Sequence, residues 1–391
     1  MSHTGYLPLL MAGNPILAFA ASFCLAFASN WLLLIPWRKS AGGHWTERAR
    51  RIHPARVAGN FNLWLISVDS YFAMWALFRP AGIYLPFIAI AAWLGAQAGY
   101  YPGFREVSPG LRFGSWYYQS IGWGLARLGI LFPILGANLL MPSVFDWRAA
   151  VIAAGVFCYI LLLNWGLLMR LWRGMRLLRP ANGRLQQIVE ETSRRMGVPP
   201  PRTWILSSVW SYAAAMITTR ELIFSERLLQ LHPDEEVAAI CAHELGHLTE
   251  SRAVVIGRVA GSFTLYPLIF VVPTLATFGL PGLGVLAAII FVAVILVRRL
   301  ARRMEERADA GARTQQTESG VYARALERLY CTNQVPAVMR GKRQMHPHLY
   351  DRMLAAGVTP DYPRPGAPKL MPVLLSAGLL YGLFFAALLG Y

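Results

Sequence analysis

Long apolar stretches constrain this chain more than any other feature. Runs of about 20 residues, enough to cross a bilayer as a helix, lie near 13–36, 61–78, 82–100, 124–143, 149–171, 259–278, 280–297 and 371–390. In hydrocarbon every backbone N–H and C=O must be satisfied within the segment, which makes each run a helix. Composition agrees. Hydrophobic residues make up 55% of the chain and charged residues 15%, against about 25% charged in a soluble domain. The expectation is a polytopic α-helical membrane protein of about eight spans.

The formal net charge is +17, which by itself could mean a nucleic-acid partner. Its distribution excludes that reading, because the basic residues sit in loops flanking the apolar runs. Arg38, Lys39, Arg48, Arg50, Arg51 and Arg56 follow the first run, and none precedes it. The first run is therefore not a secretory leader, and the positive-inside rule puts the N-terminal tail outside and the first loop inside. Alternation then carries 172–258 and 298–370, both rich in Arg, to the inner side and leaves both termini outside. Residues 1–171 form an N-terminal membrane region of about five spans. Residues 172–370 hold the polar mass, interrupted by a two-span hairpin near 259–297, and 371–391 is a last span. The lack of targeting tails points to a bacterial inner membrane. Asp69 lies within the second run, where a carboxylate faces a watery interior or a local partner. Cys24, Cys158, Cys241 and Cys331 have no metal-ligand spacing.

Within the inner block stands His243-Glu244-Leu245-Gly246-His247. On a helix, residues i and i+4 share a face, so both imidazoles can bind one metal ion, and Glu244 beside them can take a proton from a water on it. Pro233 suits the first turn of that helix, and Asp234, Glu235 and Glu236 complement its N-terminal dipole. Upstream, Leu185, Ile188, Val189 and Met196 mark an amphipathic helix that Gly197 can close. Pro199-Pro200-Pro201 then forces extended chain. Short strands follow near 203–206, 213–217 and 222–224. This layout predicts a small α+β core in which an edge strand can pair with an extended peptide.

Two His leave a catalytic zinc one protein ligand short. The candidates by position are Glu305 and Glu306. Both ends of the predicted hairpin are basic, so the chain returns near its starting point and brings this pair towards His243. Asp309, one helical turn on, is placed to orient a ligand His.

Over roughly 183–352 the chain resembles the integral-membrane zinc metalloproteases that include the CAAX prenyl proteases and the HtpX-like proteases. The likeness rests on Asp234-Glu235-Glu236 ahead of the H-E-x-x-H pentad, Glu305 with Ala308-Asp309, and His346-Pro347 followed by Arg352. It implies a zincin-like metalloprotease core, which the loop charges place on the cytoplasmic side, with one zinc ion per chain on His243, His247 and Glu305. It also implies Glu244 as general base, His346 (rather than the neighbouring His348) polarising substrate, Asp309 supporting a ligand, and Arg352 supporting the site. The family commonly carries an Asn-Ala pair on its substrate strand. Here the stretch reads Trp210-Ser211-Tyr212-Ala213, which makes Ser211, Tyr212 and Ala213 the candidate substrate contacts. The expected activity is zinc-dependent hydrolysis of peptide bonds in membrane-associated, lipidated or misfolded proteins, with the lipid bilayer as surroundings and no nucleic-acid partner. A metalloprotease-like signal transducer and a non-catalytic scaffold with a degenerate site are the competing readings.

Overall fold

The computed structural model describes residues 15–78, 85–316, 318–339 and 348–389. His346 and its neighbour Pro347 lie outside them. The chain divides into two units, one of residues 1–120, 334–340 and 364–391, the other of 121–333 and 341–363.

The first unit is helical: α1 (Pro15–Leu33), α2 (Ile35–Arg38), α3 (Trp45–Phe78), α4 (Leu85–Val107), the start of α5 (Phe113–Leu128), and a C-terminal helix, Met371–Leu389. The expected span at 61–78 is the distal half of α3, which begins at Trp45. Its polar first turns are tied by Glu47 to Arg50 and Arg51. Helices α1 and α4 pack through glycine: a Cβ on Gly95 would overlap the Phe19 carbonyl, and one on Gly99 would sit 2.5 Å from the Phe23 carbonyl oxygen. Small residues allow this backbone approach, which dispersion then rewards. Asn62 of α3 donates to Ser29 and Ser376 at 3.0 and 2.6 Å, a polar tie among apolar helices. Asp69 is half-buried on α3.

In the second unit the expected span at 124–143 is broken. Helix α5 ends at Leu128 and α6 (Leu131–Leu140) follows, because Pro133 has no N–H for the Gly129 carbonyl. Helix α7 (Trp147–Leu162) starts on an Asp146 cap and passes through a π-helical turn, Leu163–Leu167, into α8 (Leu168–Gly174). A four-stranded sheet follows, ordered β1-β2-β4-β3. Its strands are β1 (Leu178–Pro180), β2 (Arg202–Leu206), β3 (Ala213–Met216) and β4 (Glu221–Ser225). Strand β2 runs parallel to β4, while β1 and β3 are antiparallel edges. Helix α9 (Gly183–Met196) lies between β1 and β2 and closes on left-handed Gly197 (φ 66°). Leu185, Ile188 and Val189 of α9 join Ile205, Leu222 and Phe224 of the sheet in one core.

After the sheet come α10 (Glu226–Leu231), α11 (Asp234–Leu248) and α12 (Arg252–Ser262). Val237, Ile240, Cys241 and Leu245 of α11 complete the same core. A 3-10 turn leads into α13 (Val271–Gln315), whose regular geometry fails at Gly279 (φ 61°, ψ −155°). A Cβ on Gly261 would lie 3.0 Å from Val297, and one on Gly257 would lie 2.9 Å from Leu300. Both pairs are centred on Gly279, so the chain reverses there and α12 runs antiparallel to the distal arm of α13. Helices α14 (Val321–Thr332) and α15 (Leu349–Ala355) complete the unit, and Met371–Leu389 is α16.

Three helical stretches among the described residues are long and apolar enough to cross a membrane: Pro15–Arg38, Trp147–Gly174 and Arg252–Gln315. The last contains both arms of the hairpin.

Candidate metal centre

The centre is built where α11 meets the distal arm of α13. Val237, Ile240, Cys241 and Leu245 hold one side of α11 in the core, which turns His243 and His247 outward together. Their rings are perpendicular, with centroids 4.9 Å apart. A Cβ on Gly246 would be 3.3 Å from Ala308 Cα. Glycine at this position therefore lets α13 come close enough to present Glu305.

His243 Nε2 lies 3.5 Å from Glu305 Oε2, and His247 Nε2 lies 3.6 Å from Glu305 Oε1. One donor atom from each of His243, His247 and Glu305 can be chosen so that all three lie within 4.8 Å of one another. Tetrahedral zinc with bonds of about 2.0–2.1 Å spaces its ligand atoms by roughly 3.4 Å, so the donor set and its spacing fit such an ion. Glu306 points elsewhere: it is exposed and pairs with Arg302 at 2.8 Å.

The far side of His243 is tightly specified. Its Nδ1 is 3.1 Å from Asp309 Oδ1 and 2.8 Å from the Tyr322 hydroxyl. Tyr322 donates to Asp309 Oδ1 at 2.6 Å, so the hydroxyl oxygen accepts from Nδ1–H and leaves Nε2 for a metal. Arg352 donates to Asp309 Oδ2 and to the Tyr322 hydroxyl, each at 2.8 Å. All four side chains are buried. Burial alone would raise the Asp309 carboxyl, but the bonds and charges of His243 and Arg352 hold it well below the usual carboxylate range. Burial likewise opposes charge on His243. Asp309, Glu305 and Glu244 overcome it and lift the imidazole of the metal-free site to about 9.

Glu244 is buried, which raises its carboxyl, and the Glu305 charge adds to this. His243, the Ala215 backbone N–H and Arg258 oppose the rise. The bond from Ala215 places Glu244 against β3, the edge strand.

Of the expected substrate contacts, Ala213 opens β3 opposite Phe224. The Tyr212 N–H donates to Ser225 Oγ. Ser211 is buried and clasped by Asn333: its N–H donates to Asn333 Oδ1 at 3.0 Å, and Asn333 Nδ2 donates to its carbonyl at 2.6 Å. Nothing in the sequence singles out Tyr322 or Asn333, since neither belongs to a motif; they stand at the start of α14 and just past its end.

Residues 180–357 match the family model described as Peptidase family M48. Protease HtpX of Pseudomonas aeruginosa (strain LESB58) is 30% identical over 173 residues, covering 40% of this chain and 59% of that protein. Protease HtpX of Ectopseudomonas mendocina is 30% identical over 178 residues with the same coverage. A Protease HtpX homolog of Sulfurovum sp. is 32% identical over 144 residues, covering 33% of this chain and 50% of that protein. The chain thus spans between half and three-fifths of the length of the curated relatives it matches. Through residues 180–357 it is related to peptidase family M48, and it resembles the HtpX-like membrane zinc metalloproteases.

Proposed function

We propose that this chain is a membrane zinc metalloendopeptidase that hydrolyses peptide bonds of membrane-associated, lipidated or misfolded proteins. The observation that carries the reading is the convergence of His243, His247 and Glu305 on one point with Glu244 buried beside it. A zinc ion held there supplies a Lewis acid and brings the pKa of a bound water towards roughly 7.

The chain's own residues do the rest. Glu244, with its carboxyl raised by burial, is poised to accept a proton from the attacking water and to return it to the leaving amine. Strand β3 is paired with β4 along one side. Its other side is free of strands among the described residues, so an extended substrate can add there by backbone hydrogen bonds. Asp309, Arg352 and Tyr322 keep Nε2 of His243 aimed at the site. His346, by family resemblance, is the residue proposed to polarise substrate. The eight-span arrangement, the cytoplasmic face and a bacterial inner membrane are proposals in the same sense, supported by the loop charges.

The test is metal content and peptidase activity of the detergent-purified protein. One zinc per chain is expected, lost in Glu305→Ala and kept in Glu306→Ala. Glu244→Gln is expected to keep zinc and lose cleavage by at least about a hundredfold, the scale of general-base catalysis. A zinc-free wild type would instead favour the scaffold reading.

A further inference from the structure

A cavity of about 550 Å³ lies where α8 leaves the apolar helix and meets the sheet. This is within the usual range of small-molecule sites, roughly 300–1,000 Å³. Four arginines line it from three segments: Arg170 and Arg173 of α8, Arg202 at the start of β2, and Arg220 in the β3–β4 turn. Its one lining carboxylate, Glu221, is buried and accepts a hydrogen bond from Trp204 Nε1 at 3.1 Å. Among the described residues no ion pair joins Arg170, Arg202 or Arg220 to a carboxylate, while Arg179 and Arg184 nearby are paired with Glu226 and Asp234. Arg173 is stationed 5.1 Å over the Trp204 ring.

The walls are fixed. The helix departs from α geometry at Trp165 and Gly166 (φ 87°), a Cβ on Gly166 would lie 3.0 Å from the Thr219 methyl, and the Thr218 hydroxyl donates to the Asn164 carbonyl. Arg220 has φ 55°, a conformation glycine adopts far more readily. Retention of charge on the inner side of a membrane accounts for Arg170 and Arg173 at the end of an apolar helix. It does not account for Arg202 and Arg220, which arrive from a strand and a strained turn. All four arginines are solvent-exposed, and with one buried carboxylate among them they present an excess of positive charge that attracts an anion.

The surroundings indicate which anion. Trp165 is 65% exposed in the π-helical turn near the C-terminal end of the Trp147–Gly174 stretch, one of the three long enough to cross a bilayer. Tryptophan and arginine at such an end mark the head-group level. We infer that this cavity binds the phosphate head group of an anionic membrane lipid. Guanidinium groups suit phosphate because they can bond it bidentately. The occupant sits on the turn that joins β3 to β4 and so steadies the edge strand, independently of the metal centre.

The test uses the full-length, delipidated protein in a non-ionic detergent, with melting temperature and bound-lipid mass as readouts. The probes are phosphatidylglycerol, phosphatidylcholine and inorganic phosphate. Phosphatidylglycerol is expected to raise the melting temperature by several degrees and to remain bound, and phosphatidylcholine to do neither. Arg202→Gln with Arg220→Gly is expected to lose both effects, the glycine relieving the turn while removing the charge. Arg202→Lys with Arg220→Lys, which keeps the charge and so protects the fold, should show a reduced shift. A shift of equal size in wild type and both variants would overturn the site. A full, arginine-dependent shift from inorganic phosphate alone, with nothing added by the lipid, would overturn the membrane source.

Discussion

The Tyr322 hydroxyl stands 2.8 Å from Nδ1 of His243 and donates its own proton to Asp309. It thereby selects one imidazole tautomer, the one whose Nε2 faces Glu305. Removing that hydroxyl with Tyr322→Phe should weaken metal binding by about 10- to 100-fold, the usual cost of losing a group that orients a ligand. Competition with a chelator measures this. A lowered melting temperature with unchanged metal affinity would reduce Tyr322 to a packing role.

Gly246 sets the distance between the two metal-bearing helices. An added methyl would meet Ala308 Cα at 3.3 Å, which demands a shift of a few tenths of an ångström. Gly246→Ala is therefore expected to lower zinc occupancy partially, and Gly246→Val to abolish it while far-ultraviolet circular dichroism stays unchanged. Full zinc in Gly246→Val would show that α13 does not need this close approach.

Much of this centre can be read in the chain and some cannot. The i, i+4 spacing puts His243 and His247 on one face, and a hairpin with two basic ends returns Glu305 and Glu306 to them; only the side-chain contacts separate the two. The core face of α9 follows from amphipathic spacing, whereas β4 is buried along its whole length and carries no alternation to read. What escapes is whatever depends on tertiary placement. Strand β1 is three residues ending in Pro180, too short for a period to register. The break between α5 and α6 sits inside an apolar run, where hydropathy is blind to a missing N–H. Tyr322 reaches His243 only because the chain turns at left-handed Gly320 (φ 85°).

Metal affinity should depend on pH through His243. In the metal-free protein its folded value, about 9, exceeds the ordinary value of about 6.5. The charged imidazole thus stabilises the metal-free fold fully below about pH 6.5, and that contribution disappears as pH rises through about 9. Metal must displace this proton, so affinity should rise by up to about tenfold per pH unit over the same window and then level off. Chelator competition from pH 6.5 to 9.5 tests it. A flat profile would mean that His243 is already neutral at pH 6.5.

Asn333 holds the chain that leads into β3, the proposed substrate strand, and does not touch the candidate metal ligands. Asn333→Ala frees both backbone groups of Ser211 and loosens the entry to β3. Zinc content should stay the same while kcat/KM falls about tenfold, mostly through KM, for the loss of about 1–2 kcal/mol of strand positioning. An unchanged KM with a lowered kcat would move the role of Asn333 to the chemistry itself.

The reversal at Gly279 has a consequence for how this chain comes into the cell. His243 and His247 are synthesised well before Glu305, and the segments between them fold into α12 and the two arms of α13. A nascent chain halted before the second arm has two imidazoles and no carboxylate, and one whose arms fail to close holds Glu305 away from them. Under the proposed function, hydrolytic competence is thus withheld until the hairpin is complete, so an unfinished or misassembled copy is inert towards its neighbours.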